Sequence, residues 1–156
     1  MLPGAKPWRN PVRILCVCLG NICRSPTAEA VLRAMAPELT IDSAGTSDWH
    51  IGNPPYGPAI DAAALRGYDL TPLRARQVTA ADFDQFDLIL AMDAQNLASM
   101  ERLRPAGSET PVRLMLDFSP AHQGQEVPDP YYTRDFDAAL DLIEAAARGL
   151  LETVRT

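Results

Sequence analysis

Positive charge, cysteine and long apolar runs are all scarce in this 156-residue chain. Lysine and arginine number 14 against 20 aspartates and glutamates, a formal net charge of −6. No broad basic face can be built from that balance, so nucleic acid is excluded as the main partner. No stretch approaches the ~20 apolar residues of a membrane span. The first ten residues carry Lys6 and Arg9 but no apolar core, so they read as neither signal peptide nor anchor. They are expected to form a mobile extension, with Trp8 resting on the surface of a single domain running from 11 to 156. Only three cysteines occur, Cys16, Cys18 and Cys23. Confined to one short stretch, they cannot form a disulfide framework across a fold, which suits a reducing cytoplasm. They also make a poor zinc site. The strand pleat is expected to turn Cys16 and Cys18 apart, and only His50 and His122 remain as distant partners.

What is present is an alternation of strand and helix patterns. Val12 to Val17 is a near-continuous apolar run of strand length, as in a central parallel strand buried on both faces. Helical spacing follows from Pro26 through Ala28, Val31, Leu32 and Met35, with Pro37 as the stop. Further strands are predicted at Leu39 to Gly45, Asp87 to Met92 and Val112 to Phe118. Between them, Gly52 to Pro58 reads as loop, Ile60 to Gly67 as a short helix closed by glycine, and Ala80 to Phe86 as a helical turn. Leu97 to Leu103 reads as a helix, and Phe136, Ala139, Leu140, Ile143, Ala147, Leu150 and Val154 trace one face of a last one. The fold class is therefore α/β: one domain with a four-stranded parallel sheet and helices on both faces. In such sheets ligands bind beyond the carboxyl ends of the strands.

The first strand ends in Cys18-Leu19-Gly20-Asn21-Ile22-Cys23-Arg24-Ser25, a cysteine and an arginine separated by five residues. A thiolate can attack phosphorus only if the surrounding loop holds the equatorial oxygens, which backbone N–H groups in a tight curl do with little reorganisation. Gly20 and Asn21 are residue types that tolerate the positive φ such a curl requires. Arg24 adds a planar fork able to bind two phosphate oxygens at once. Ser25-Pro26 reads as an N-cap followed by proline at the first helical position. The positive helix end then points into the same bowl, and together these groups favour Cys18 as a thiolate. Phosphate- and vanadate-type oxyanions are the expected occupants.

Ester cleavage also needs a proton for the leaving oxygen. Val127-Pro128-Asp129-Pro130-Tyr131-Tyr132 offers Asp129 between two prolines that fix its backbone, and tyrosines as aromatic walls. A carboxyl group in a partly apolar site beside a dianion keeps its proton long enough to donate it. On residue types alone, a plain proline turn with a solvated aspartate is an equal alternative.

The stretches Cys18 to Glu29, Asp42-Ser-Ala-Gly-Thr, Ala75-Arg-Gln, Ala91-Met-Asp and Asp129-Pro-Tyr-Tyr closely resemble the low-molecular-weight protein tyrosine phosphatases, over about residues 12 to 154. The resemblance implies hydrolysis of phosphotyrosine proteins and small aryl phosphates without metal or organic cofactor. It implies Cys18 as the nucleophile that forms a phosphocysteine, Arg24 as the phosphate ligand, and Asp129 as the acid that later activates water. Leu19, Ile22, Trp49 and Tyr131 match positions lining an aryl pocket, alongside the loop residues Gly20, Asn21 and Cys23. Asn21, Ser25 and Ser43 match residues that hold the loop in shape, and Ser25 also assists thiolate departure. Cys23 matches a redox partner that protects the nucleophile as a reversible disulfide. Leu73 stands where the family commonly has a histidine completing that network, a departure expected to loosen Asn21 and lower turnover or stability. Thioredoxin-coupled arsenate reductases share the loop but need further cysteines downstream, and none follows Cys23. A regulatory module that binds phosphotyrosine without turnover, and a phosphatase acting on a non-protein ester by the same mechanism, are the other readings.

Overall fold

The computed structural model describes residue 8 and residues 11–155. Its sheet has four parallel strands, β1 (Arg13–Cys18), β2 (Thr40–Gly45), β3 (Leu88–Ala91) and β4 (Val112–Leu114), in the order β2-β1-β3-β4. β1 lies inside, with Cys16 paired to Ser43 on one side and to Leu90 on the other. Its continuous apolar run follows from that place, since both faces and both edges are covered. The chain leaves β1 first toward β2 and later toward β3 on the opposite side. The crevice beyond the carboxyl end of β1 is thus where the winding reverses, and Cys18 is the last residue of that strand.

Helices α1 (Arg24–Met35) and α6 (Phe136–Val154) cover one face. Ile14, Cys16, Leu88 and Leu90 there meet Val31 and Leu32 of α1 and Leu140, Ile143, Ala147 and Leu150 of α6 in one buried cluster. On the other face Leu15, Val17, Ile89 and Ala91 pack with Phe83 of the one-turn α3 (Asp82–Gln85) and Met100 of α4 (Ala94–Leu103). A smaller cluster joins α2 (Gly57–Ala64) through Ala59 and Ala63 to Cys23, Ala30 and Leu70. The strand pleat explains the partition between the two large clusters, because odd and even positions of β1 face opposite ways. Cys16 and Cys18, two apart, therefore share a face. This corrects the expectation that they diverge, and both side chains are buried.

α6 starts under an aspartate cap, Asp135, whose side chain accepts the Ala138 N–H at 2.9 Å. Its stripe of Ala139, Leu140, Ile143, Ala146, Ala147, Leu150 and Leu151 is buried. At Gly149 an added Cβ would stand 1.9 Å from the carbonyl oxygen of Phe118, so only glycine lets the helix lie this close to the turn below it.

Several boundaries differ from expectation. The fourth strand is only three residues long, and Met115–Phe118 forms a 3₁₀ turn that tucks Met115, Leu116 and Phe118 under α6. Burial of those side chains, rather than a strand pattern, accounts for the apolar run. α2 begins at Gly57, so Pro58 lies in its first turn, where a missing N–H costs nothing. The N-cap of α1 is Cys23 rather than Ser25, and Arg24, Ser25 and Pro26 form its opening turn. Trp8 is half-buried against the α1–α6 cluster. The expectation of a mobile extension otherwise falls on residues outside those described.

Candidate active site

The loop from Cys18 to Arg24 curls back on its first side chain. The Asn21 N–H donates to Cys18 Sγ at 3.3 Å, and Asn21 takes φ of 57° to do so. Asparagine enters that left-handed region at lower cost than other non-glycine residues. Gly20, by contrast, does not adopt positive φ. A Cβ there would sit 3.0 Å from Cδ2 of His50, so a larger residue would press on that imidazole. Gly45 serves a similar end from beneath, where a Cβ would lie 2.8 Å from the Leu19 carbonyl oxygen. That leaves room for the loop to rest on the end of β2, held by Thr46 N–H to Cys18 O at 2.9 Å and Ser47 N–H to Leu19 O at 3.0 Å.

A buried chain of side chains fixes the curl. Asn21 Nδ2 donates to Ser25 Oγ at 2.8 Å and to Ser43 Oγ at 3.0 Å. Ser43 in turn donates to Glu29 Oε1 at 2.7 Å, and Glu29 pairs with Arg33 at 2.9 Å. Asn21 Oδ1 accepts the backbone N–H of Arg76 at 3.0 Å. Because Ser25 already accepts from Asn21, its own proton is free to point at Cys18 Sγ, 3.0 Å away, with Ala44 O farther off at 3.5 Å. Two donors thus converge on the sulfur, the arrangement that stabilises negative charge there. The Glu29 carboxyl is pushed up by burial, an effect that the Ser43 bond and Arg33 oppose.

Ser25 and Ser43 both accept from the Asn21 amide. Arg76, Glu29 and His50 are new. The Arg76 guanidinium is tied to Asp42 and Asp82 at 3.0 Å each, which anchors the strand-like segment whose N–H holds Asn21. Leu73 packs beside the α2 cluster, and Asn21 has its three bonds without it. The cost of leucine there is read by a Leu73→His variant, which is expected to raise turnover or stability. The backbone of Arg76 supplies the donor, and no residue-type pattern announces a main-chain bond.

Opposite the sulfur, Arg24 is almost fully buried and aimed by three acceptors. Its Nη1 donates to Asp93 Oδ2 at 2.9 Å and to the Val127 carbonyl at 3.0 Å, and its Nη2 lies 3.5 Å from Asp129 Oδ2. Burial works against its charge, but Cys18, Asp93 and Asp129 outweigh that and drive the guanidinium's pKa up. Asp93 serves twice, because its other oxygen caps α4 by accepting the Asn96 N–H at 2.7 Å. Asp129 is itself a cap. Its Oδ1 accepts the Tyr131 N–H at 3.1 Å and starts the one-turn α5 (Pro130–Thr133), which leaves Oδ2 facing Arg24.

Cys18, Arg24 and Asp129 line a single cleft of about 160 Å³. Leu19, Gly20, Ile22 and Cys23 form its floor and near wall, and Trp49, His50, Tyr131 and Tyr132 its rim. Trp49 is 66% exposed and Tyr132 71%, so the mouth offers bare aromatic faces. Tyr131 is braced against Tyr56 with ring centroids 5.1 Å apart, and the Arg134 guanidinium lies over Tyr56. The Cys23 thiol is pushed up to about 12, first by burial and then by the neighbouring Cys18.

Known proteins share both this sequence and this shape. The sequence profile of the family described as low molecular weight phosphotyrosine protein phosphatase matches residues 13–156. The low molecular weight protein-tyrosine-phosphatase YfkJ of Bacillus subtilis is 38% identical over 150 residues, 92% of this chain and 96% of its own length. Its crystal structure superposes with a TM-score of 0.86, covering 92% of this chain and 94% of that one. A low molecular weight protein-tyrosine-phosphatase of Streptomyces coelicolor is 42% identical, over 92% of this chain and 93% of its own. The structure of Vibrio vulnificus Wzb in complex with benzylphosphonate is 33% identical with a TM-score of 0.81, over 91% of this chain and 98% of that one. With the family profile matched over residues 13–156 and nearly the full length of these relatives covered in sequence and in shape, the chain belongs to the low molecular weight phosphotyrosine protein phosphatase family.

Proposed function

We propose that this phosphatase hydrolyses phosphotyrosine residues and aryl phosphate monoesters through a phosphocysteine at Cys18. The observation that carries the reading is the convergence of Cys18, Arg24 and Asp129 on one cleft with an aromatic rim. In the first step the phosphate enters the loop and takes the Nη2 side of Arg24 from Asp129 Oδ2, now 3.5 Å away. Cys18 Sγ attacks phosphorus, the P–O bond to the phenol breaks, and Asp129 gives the departing oxygen its proton. In the second step the same carboxylate takes a proton from water as that water attacks phosphorus. The P–S bond breaks, and the Ser25 hydroxyl, 3.0 Å from the sulfur, donates to the thiolate that leaves. The Leu19, Ile22, Trp49 and Tyr131 side chains wall the ring, and the loop backbone from Gly20 to Cys23 cradles the phosphate. The benzylphosphonate bound by Wzb, a phosphonate one methylene away from an aromatic ring, favours this class of substrate.

The catalytic unit spans 11–156. A cytoplasmic setting fits the three free thiols, and among the described residues no helix is long and apolar enough to cross a membrane. Purified, reduced protein is expected to hydrolyse p-nitrophenyl phosphate in the presence of a chelator. Binding of phosphate or vanadate without turnover would favour the regulatory-module reading instead.

Cys23 is the redox partner in this account. Peroxide oxidises the Cys18 thiolate to a sulfenic acid, and the Cys23 thiol condenses with it to a disulfide with loss of water. Held up at about 12, Cys23 stays a thiol and does not compete for the oxidant. Peroxide inhibition is expected to reverse with added thiol. Mass spectrometry showing a sulfonic acid at Cys18 and no bridge to Cys23 would refute this role.

A further inference from the structure

A second groove, of about 280 Å³, adjoins the active cleft and shares Leu19 with it. Thr46, Gln95, Asn96, Ser99 and Arg102 complete most of its lining. Its position follows from the fold: Thr46 comes from the end of β2 and the other four from α4, whose first turn follows the Asp93 that aims Arg24.

Two features suit this groove to a ligand rather than to packing. Asn96 is only 2% exposed, yet its Oδ1 has no hydrogen-bond partner, the one such buried side-chain atom among the described residues. A buried polar group left unpaired is costly, and folds otherwise supply it with a partner. Arg102 is the second feature. Among the described residues seven arginines pair with carboxylates, and of the five that do not, Arg74, Arg102, Arg113, Arg134 and Arg148, only Arg102 lines this groove. Arg102 bonds only to Ser99 Oγ at 3.0 Å, and no carboxylate among the described residues pairs with it. The groove contains no acidic side chain among its described lining residues, in a chain whose net charge is −6. A cation kept free within reach of the nucleophile loop is a local positive site on an acidic protein.

We propose that this groove is a substrate subsite that binds an acidic residue flanking the phosphotyrosine, with Arg102 meeting its carboxylate and Asn96 meeting the peptide main chain. The proposal rests on the phosphotyrosine phosphatase reading above. A main-chain N–H, which every non-proline peptide residue carries, is the donor that the Asn96 amide lacks. An extended peptide advances about 3.3 Å per residue, so with Leu19 lining both hollows, a side chain two or three positions from the phosphotyrosine reaches the groove. A guanidinium free of internal partners takes a carboxylate in a charge-assisted, two-pronged bond.

The test is kcat/KM on phosphotyrosine peptides in which a single glutamate is walked through the positions flanking the phosphotyrosine of an otherwise neutral sequence. The wild type is expected to favour glutamate at a position two or three residues away by about three- to fivefold at low salt. The preference should vanish in Arg102→Gln and turn to lysine in Arg102→Glu, while hydrolysis of p-nitrophenyl phosphate by both variants stays at the wild-type level. A flat peptide profile for the wild type, or a preference that survives in Arg102→Gln, overturns the subsite alone. Failure of the wild type on p-nitrophenyl phosphate overturns the phosphatase reading and the subsite with it.

Discussion

Replacing Cys18 by serine is expected to remove at least about 10³-fold of the activity toward p-nitrophenyl phosphate while leaving the fold and the anion site in place. The sulfur sits at the end of an inner strand, nearly fully buried, with Asn21 N–H and Ser25 Oγ on it at 3.3 and 3.0 Å. A serine oxygen fits that space and can bond to Ser25. It is a far poorer nucleophile, because no general base stands behind it: the Cys18 neighbours are donors, and Asp129 faces Arg24. Arg24 keeps its bonds to Asp93 and the Val127 carbonyl, and the loop keeps its support from Asn21. Wild type and variant alike should therefore gain thermal stability from phosphate or vanadate. Activity within tenfold of wild type would exclude Cys18 as the nucleophile. Loss of the anion-induced shift would mean that the substitution disrupts the loop rather than the chemistry.

The second large effect is expected at Asp129. Asparagine there still accepts the Tyr131 N–H and still starts α5, so the local fold is conserved, but it has no proton to give. A lost general acid costs about 10²–10⁴-fold. The loss must depend on the leaving group. A tyrosine phenol, with pKa about 10, leaves poorly as a bare anion, so phosphotyrosine should suffer more than an ester whose phenol is much more acidic. Initial rates of Asp129→Asn on phosphotyrosine and on p-nitrophenyl phosphate test this as a ratio. Equal losses on the two would assign Asp129 to positioning Arg24, from which it lies 3.5 Å, rather than to proton transfer.

The parts of this site that could be read in the sequence are those made by contiguous residues. Val12 to Val17 announces an inner strand by hydrophobicity alone, and the spacing of Cys18 and Arg24 announces the loop at its end. Asp129 between prolines announces a fixed carboxyl group, though not that it caps a helical turn of its own. The parts that could not be read depend on chain segments far apart. Asn21 is also held by the backbone N–H of Arg76, and a main-chain bond leaves no mark in residue types. Gly20 does not use the positive φ open to glycine, and its neighbour across the loop is the imidazole of His50. Glu29 sits in α1 like any helical glutamate until Ser43 and Arg33 are seen to close around it. Ser25 followed by proline carries a capping pattern, and the helix starts earlier because the serine hydroxyl is taken by Asn21 and the sulfur. Val112 to Phe118 is apolar except at Arg113 and Asp117, and only the close approach of α6 at Gly149 shows why half of it is a turn.

The most direct test of the account is to quench the enzyme with acid during turnover of p-nitrophenyl phosphate and to weigh its peptides. The account predicts a phosphoryl group on the peptide bearing Cys18, absent without substrate and absent in Cys18→Ser. Turnover with no phosphorylated peptide under any quench, or with the phosphoryl group on another residue, would contradict it.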